Sequence, residues 1–218
     1  MKKSMKSNLY VAMLVSLTMS ILSCNESDPI PAANDLTSQE NSLPAESISA
    51  EEENALIFIR EEEKVARDVY ITLYAKWKLN VFNNISSSEQ QHMDAVVLLL
   101  NKYRIHDPVG SNGVGIFTSS TLQELYNQLI DQGNVSMVEA LKVGATIEDL
   151  DIFDITHTLQ EIDNQDVIWV FQNLTKGSRN HLRSFYSNLI SASSEYVPQY
   201  ITQEEFDAIV SSPTEKGY

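Results

Sequence analysis

A single cysteine stands in the 218-residue chain, and that scarcity excludes an intramolecular disulfide, a Cys-rich zinc site and a thiolate-bound iron–sulfur cluster within one chain. Any metal held here must use oxygen and imidazole. Positive charge is scarce as well. Fifteen Lys and Arg (15) face 30 Asp and Glu, a formal net charge of −15 with no local basic patch, so nucleic-acid phosphates and anionic lipid headgroups are repelled. The apolar run from Leu9 to Leu22, at 14 residues, is too short to span a bilayer. Between Glu51 and Lys78 there is neither proline nor glycine, and the alternating pattern of a half-buried strand is missing throughout the chain. What is present, 43% hydrophobic and 21% charged residues, suits one compact globular domain.

The N-terminus carries Lys2, Lys3 and Lys6 ahead of the Leu9–Leu22 run, the layout of an export signal. The cysteine follows directly, in Ile21-Leu22-Ser23-Cys24, which resembles a bacterial lipobox, where cleavage before the cysteine leaves a lipidated N-terminal residue. The expectation is a signal peptide over 1–23, lipidation at Cys24, and a lipid-anchored protein exported to the bacterial cell envelope, on its periplasmic or surface face. Such cleavage leaves 12 basic against 30 acidic residues, a net charge of −18. From Asn25 to Ala50 there is no aromatic residue and no glycine, while Pro29, Pro31 and Pro44 sit among Ser, Asn and Glu. Residues 24–50 therefore read as the lipidated cysteine and a flexible tether, and 51–218 as the folded domain.

Within that domain apolar residues recur at steps of three and four. Leu56, Ile59, Ala66, Tyr70, Leu73 and Trp77 mark a first helix over about 52–78. Phe82, Ile85, Val96, Leu99 and Tyr103 mark a second over about 81–104, ending before Asp107-Pro108 and three nearby glycines. A Gly- and Ser-containing stretch over 107–120 and a short amphipathic segment, Leu122–Ile130, make a crossover. Two more long helices are predicted over about 136–162 and 165–192, with Gly144 and Gly177 as potential interruptions. A last short one at Glu204–Val210 is capped by Thr202 with Glu205. The predicted fold is an all-α up-down bundle of four long helices with one long crossover containing a short helix.

An ionisable group in a bundle core is costly unless paired or metal-bound, so the polar residues on these apolar faces are the informative ones. Glu63 interrupts the first face. Glu89 and His92 point inward together from the second at i, i+3. Glu148 and Asp151 do so from the third, and His181, with Ser178 one turn earlier, from the fourth. Two metal-free arrangements compete: Glu89 answering Ser86 in a helix cap, and a buried salt-bridge network in which Arg67 or Arg183 pairs with Glu63 or Asp151. His106 and His157 have no such partner and read as surface or satisfied histidines, Asp154 belongs to the solvated or Arg-paired flank of the third helix, and Tyr70 reads as core packing.

The run Glu63-Lys64-Val65-Ala66-Arg67-Asp68-Val69-Tyr70 resembles the first-helix E-x-x-A-R-x-x-Y of rubrerythrin-type ferritin-like proteins, and Glu89-Gln90-Gln91-His92 resembles their second-helix E-x-x-H. The segments EEEKVARDVY, SEQQHM, GATIEDLDI and GSRNHLRSF are similar to a domain family of unknown function in the ferritin-like superfamily, over about residues 54–190. The resemblance implies a mono- or dinuclear iron or manganese carboxylate site in a four-helix bundle, with Glu63, Glu89, His92, Glu148 and His181 at ligand positions. In the fourth helix the expected E-x-x-H reads Ser178-Arg179-Asn180-His181, so one bridging carboxylate is replaced, and Asp151 is the candidate substitute. The implied activity is redox chemistry with dioxygen or peroxide. Rubrerythrins carry a rubredoxin module, which the lone cysteine excludes here, so an external electron donor is implied; an oligomer is compatible with the pattern. The alternative is a non-catalytic helical lipoprotein whose metal site serves storage, structure or partner binding.

Overall fold

The structure, a computed structural model, describes residues 47–216; the export signal, Cys24 and most of the tether lie outside the described residues. Among these residues the chain is all-helical: α1 (Ala50–Trp77), α2 (Asn80–Tyr103), α3 (Ser120–Gly133), α4 (Met137–Thr158), α5 (Gln165–Ser191) and α6 (Gln203–Ser211). None is long and apolar enough to cross a membrane.

Helix α1 begins slightly before the sequence boundary. Ser49 accepts from Glu52 N while the Glu52 carboxylate accepts from Ser49 N, so two otherwise unpaired amides at the helix start are satisfied reciprocally. The other Glu52 oxygen accepts from Asn164 N at the start of α5, which ties the two helix starts together. Lys78, in a left-handed conformation, ends α1. Helix α2 follows almost at once, so the two run antiparallel. Because α2 already begins at Asn80, Ser86 lies inside it, where its hydroxyl donates to Asn83 O and caps nothing.

The second pair, α4 and α5, forms a like hairpin. Tyr70 of α1 reaches Gly144 and Glu148 of α4, while Tyr103 at the end of α2 meets Asn164 at the start of α5. These contacts make α5 parallel to α1 and α4 parallel to α2, so the crossover climbs the full length of the bundle before α4 descends.

The crossover is held by α1. Glu61 accepts from Thr118 N and Ser119 N, Asp68 accepts from Gly115 N, Lys64 donates to Gly113 O, and Arg60 pairs with Asp107. Charged residues on the outer face of α1 are thereby buried with partners, as their desolvation demands. On α4, Asp149 does the same for the tail, accepting from Tyr196 OH and from the amides of Gln199 and Ile201.

Gly144 and Gly177 leave their helices unbroken. A Cβ on Gly144 would lie 2.3 Å from the Phe185 ring, and one on Gly177 would lie 2.4 Å from His92 Nε2, so each glycine is the space a ring packs into.

The apolar core falls into two clusters. One gathers Tyr70, Leu73, Phe82, Phe185 and Leu189, the other Leu56, Val96, Leu99, Phe171 and Leu174. The inward polar residues of α1, α2, α4 and α5 form a layer between them.

Candidate metal centre

Each of the four long helices contributes to that layer. Glu63, Glu89, His92, Glu148 and His181 are all buried, and the ligand-capable atoms of two triads, Glu63–Glu89–His92 and Glu89–Glu148–His181, approach within 4.8 Å of one another. Glu89 belongs to both. One of its oxygens lies 2.7 Å from His92 Nδ1 and the other 2.8 Å from His181 Nδ1. Glu63 closes on His92 Nδ1 at 2.9 Å, and Glu148 stands 3.4 Å from His181 Nδ1. The two imidazoles stack with centroids 5.5 Å apart.

The far side of each ring differs. His181 Nε2 lies 2.9 Å from Ser88 Oγ, which anchors the ring at its far edge, and Nδ1 faces Glu89 and Glu148. His92 Nε2 faces Gly177 and has no partner. Glu148 is oriented by Tyr70, whose hydroxyl donates to its Oε1. Ser178, at the position of the replaced carboxylate, donates to Leu174 O and turns into its own helix.

Charge in this layer is unbalanced. Burial and the neighbouring Glu89 push the Glu63 and Glu148 carboxyls up to about 7, although His92 and His181 respectively pull the other way. Burial opposes ionisation of both imidazoles, yet the facing carboxylates prevail: His92 rises to about 9 and His181 is raised well above its ordinary value. Glu89, between two rings, is held far below the usual carboxylate range despite its burial. Burial also raises Asp151 and Glu62 well above theirs, Asp151 through Glu62 and Glu63, Glu62 through Asp154 and Glu63.

Among the described residues no Lys or Arg forms an ion pair with Glu63, Glu89, Glu148 or Asp151. Arg67 instead binds Asp68 and Gln90, and Arg183 binds Ile209 O, Ser212 and Glu215, so neither reaches Glu63 or Asp151 and the proposed salt-bridge network is not formed. Both oxygens of Glu89 and Asp151, together with Glu148 Oε2 and His181 Nδ1, are buried without a well-directed hydrogen bond. Buried oxygens and ring nitrogens converging on common points without satisfying one another fit a divalent cation, and the mixed carboxylate–imidazole set suits Fe(II) or Mn(II).

The sequence thus placed five of its six candidate ligands together. Asp151 is buried beside them but belongs to neither triad; its neighbours are Glu62 and Glu63. Glu62, Tyr70 and Ser88 were missed as site residues. For Tyr70 the signal was available, since it lies two turns beyond Glu63 on the same face. Asp154 is less solvated than expected, partly buried against Glu62, whereas His106 and His157 are exposed and apart.

A cleft of about 460 Å³ opens between α2, α5 and the C-terminal segment and reaches His181 and Gly177. Its wall after α6 is fixed by Glu215, which pairs with Arg179 and Arg183.

Residues 52–213 match the family described as "Uncharacterized protein domain (DUF2202)". The chain is similar to the uncharacterized protein MJ0754 of Methanocaldococcus jannaschii, 55% identical over 177 residues that cover 81% of this chain and 96% of the relative. The crystal structure of that hypothetical protein superposes with a TM-score of 0.79, covering 80% of this chain and 99% of the other.

Proposed function

We propose that this chain, which belongs to the DUF2202 family of uncharacterized protein domains, is a ferritin-like metalloprotein that holds two ions of iron or manganese, one by Glu63, Glu89 and His92 and the other by Glu89, Glu148 and His181. The observation that carries the reading is Glu89, buried between two histidines with its two oxygens turned to different rings. Bound there, iron or manganese supplies Lewis acidity and redox chemistry toward dioxygen or peroxide.

The chain's own residues do the rest. Tyr70 fixes Glu148, and Ser88 holds the His181 ring in place through Nε2. Two apolar clusters exclude water from either side of the layer. The cleft gives a small oxidant a route to the His181 side. With one carboxylate shared between the triads and Ser178 turned away, the centre has fewer fixed ligands than a pair of E-x-x-H helices supplies, which leaves positions open to exogenous molecules. Electrons come from a separate donor.

The reading includes export and a lipid anchor at Cys24. It rests on the Lys2–Lys6 charges, the Leu9–Leu22 run and Ser23-Cys24, which precede the matched residues 52–213.

The test is Glu89→Gln on the soluble chain. Wild type is expected to bind two metal ions per chain and to consume dioxygen during aerobic Fe(II) titration. The variant loses bound metal and the rise in melting temperature that added Mn(II) gives the wild type, a rise equivalent to about 2.7 kcal/mol for one site at a hundredfold excess over Kd. A wild type whose melting temperature ignores Fe(II) and Mn(II) overturns the reading.

A further inference from the structure

Three acids of the polar layer lie outside both triads: Glu62 on α1, and Asp151 and Asp154 on α4. On α4 the sequence Glu148, Asp151, Asp154 advances in steps of three, so these carboxylates climb neighbouring positions of one helix face. Burial relaxes along the climb: Glu148 is fully enclosed, Asp151 is 2% exposed, and Asp154 is open in part to solvent. Glu62, 4% exposed, meets Asp154 from across the α1–α4 gap and lies beside Asp151. Burial and the acids Asp149, Asp154 and Glu62, in that order, raise the pKa of the half-exposed Tyr200, so the outer end of the row lies on the Tyr200 side of the bundle.

Both oxygens of Asp151 are buried without a hydrogen-bond partner, and Glu62 faces only other carboxyl groups, that of Asp154 first, whereas Glu61 and Lys64 on either side hold the crossover. Two nine-tenths-buried acids whose oxygens lack well-directed donors offer ligand atoms to a cation.

We propose that Asp154, Glu62 and Asp151 form an acidic path by which divalent cations pass from the surface beside Tyr200 to the two-histidine centre, with a transit site between Glu62 and Asp151. The donors suit that role. They are carboxylates without imidazole, so they take a hard divalent ion while holding it less firmly than the mixed ligand set of the centre, and the ion moves inward. The other approach is unsuited to cations: the cleft at His181 has no acid in its lining and carries Arg183.

This inference rests on the metal-centre reading, and the experiment separates the two. Metal-free chain is mixed with Co(II) alone, and the growth of its visible bands is followed by stopped flow in wild type, Glu62→Gln, Asp154→Asn and Glu204→Gln. The last removes the same charge from the exposed start of α6. Wild type and Glu204→Gln are expected to load at one rate. Glu62→Gln loads about tenfold more slowly and Asp154→Asn about threefold, while the final spectrum and two-ion stoichiometry stay those of wild type, since electrostatic guidance acts on the rate. Variants that load as fast as wild type overturn the path and leave the centre standing. An altered final spectrum in Glu62→Gln also overturns it, by making Glu62 a ligand, and so does equal slowing by Glu204→Gln, which makes the effect one of overall charge. A wild type that takes up no Co(II) overturns the centre and the path together.

Discussion

Gly177→Ala adds one methyl group to α5 at the back of the His92 ring. The new Cβ would stand 2.4 Å from His92 Nε2 and 2.8 Å from Cε1, whereas ordinary contact needs about 3.5 Å, so the ring must retreat by about 1 Å. Its retreat is blocked. On the opposite edge Nδ1 already lies 2.9 Å from Glu63 and 2.7 Å from Glu89. Overpacking of this kind costs about 1–3 kcal/mol, and replacing glycine inside a helix returns about 1 kcal/mol, so the metal-free variant loses roughly 0–2 kcal/mol. Metal affinity suffers more. Disturbing the support of a ligand typically costs about 10–100-fold, and here the ligand itself is displaced. The expected signature is a small drop in melting temperature beside a large drop in Mn(II) affinity, read by calorimetry of the metal-free protein and by titration with free Mn(II) observed by electron paramagnetic resonance. A lowered melting temperature with wild-type affinity would remove His92 from the centre. Unchanged values of both would refute the packing of the ring against Gly177.

Tyr70→Phe keeps the ring packed against Phe82 and Phe185 but frees Glu148, and should weaken one of the two metal sites about tenfold with a stability loss near 1 kcal/mol; equal titration of both sites would contradict this. The metal-free protein should lose stability as pH rises. Glu63 and Glu148 titrate near 7 when folded against 4.5 in a free chain, and His92 near 9 against 6.5, so all three bind protons more tightly when folded. Their contribution is complete below the unfolded values and is lost between about pH 4.5 and 7 for the acids and between about 6.5 and 9 for His92, on the order of 3 kcal/mol per group. Chemical denaturation of metal-free protein from pH 5 to 9.5 checks it, and a flat or rising profile is the contrary result. Cys24→Ser should leave an unprocessed precursor that no longer partitions into detergent, whereas unchanged partitioning would rule out the anchor.

Periodicity exposed the four long helices because each buries one continuous stripe, and the residues interrupting those stripes are the ones that gather in the candidate centre: Glu63, Glu89, His92, Glu148 and His181. What escaped it depends on neighbours distant in sequence. Glu62 sits one residue off the apolar stripe of α1, so periodicity passes over it; it is buried against Asp154 of α4. Gly144 and Gly177 carry a helix-weakening propensity, but their role lies in the Phe185 and His92 rings opposite. The metal-free alternative, in which Arg67 or Arg183 pairs with Glu63 or Asp151, could not be decided from sequence for a similar reason, because long flexible side chains find whichever acceptor the fold presents, here Asp68 and Glu215. Ser178 was legible as a departure, and its hydroxyl bond to Leu174 O explains how the position tolerates the loss of an acid.

Glu61, Glu62, Glu63 and Lys64 occupy one turn of α1 and look in different directions: Glu61 and Lys64 to the crossover, Glu62 to α4, Glu63 to His92 of α2. Nine residues before Glu61 on the same helix, Glu52 is equally committed, to the amides of Asp163 and Asn164 just ahead of α5. Because successive residues of an α-helix are turned by about 100°, inserting or deleting one residue between Glu52 and Glu61 would swing one set of attachments a quarter-turn or more away from the other. The loop closure, the acid row and the centre would then be lost in a single event, although every amino acid that makes them was still present. Helix α1 therefore behaves as a key cut to a fixed length: it should accept many exchanges of side chain on its exposed positions and no change at all in its count.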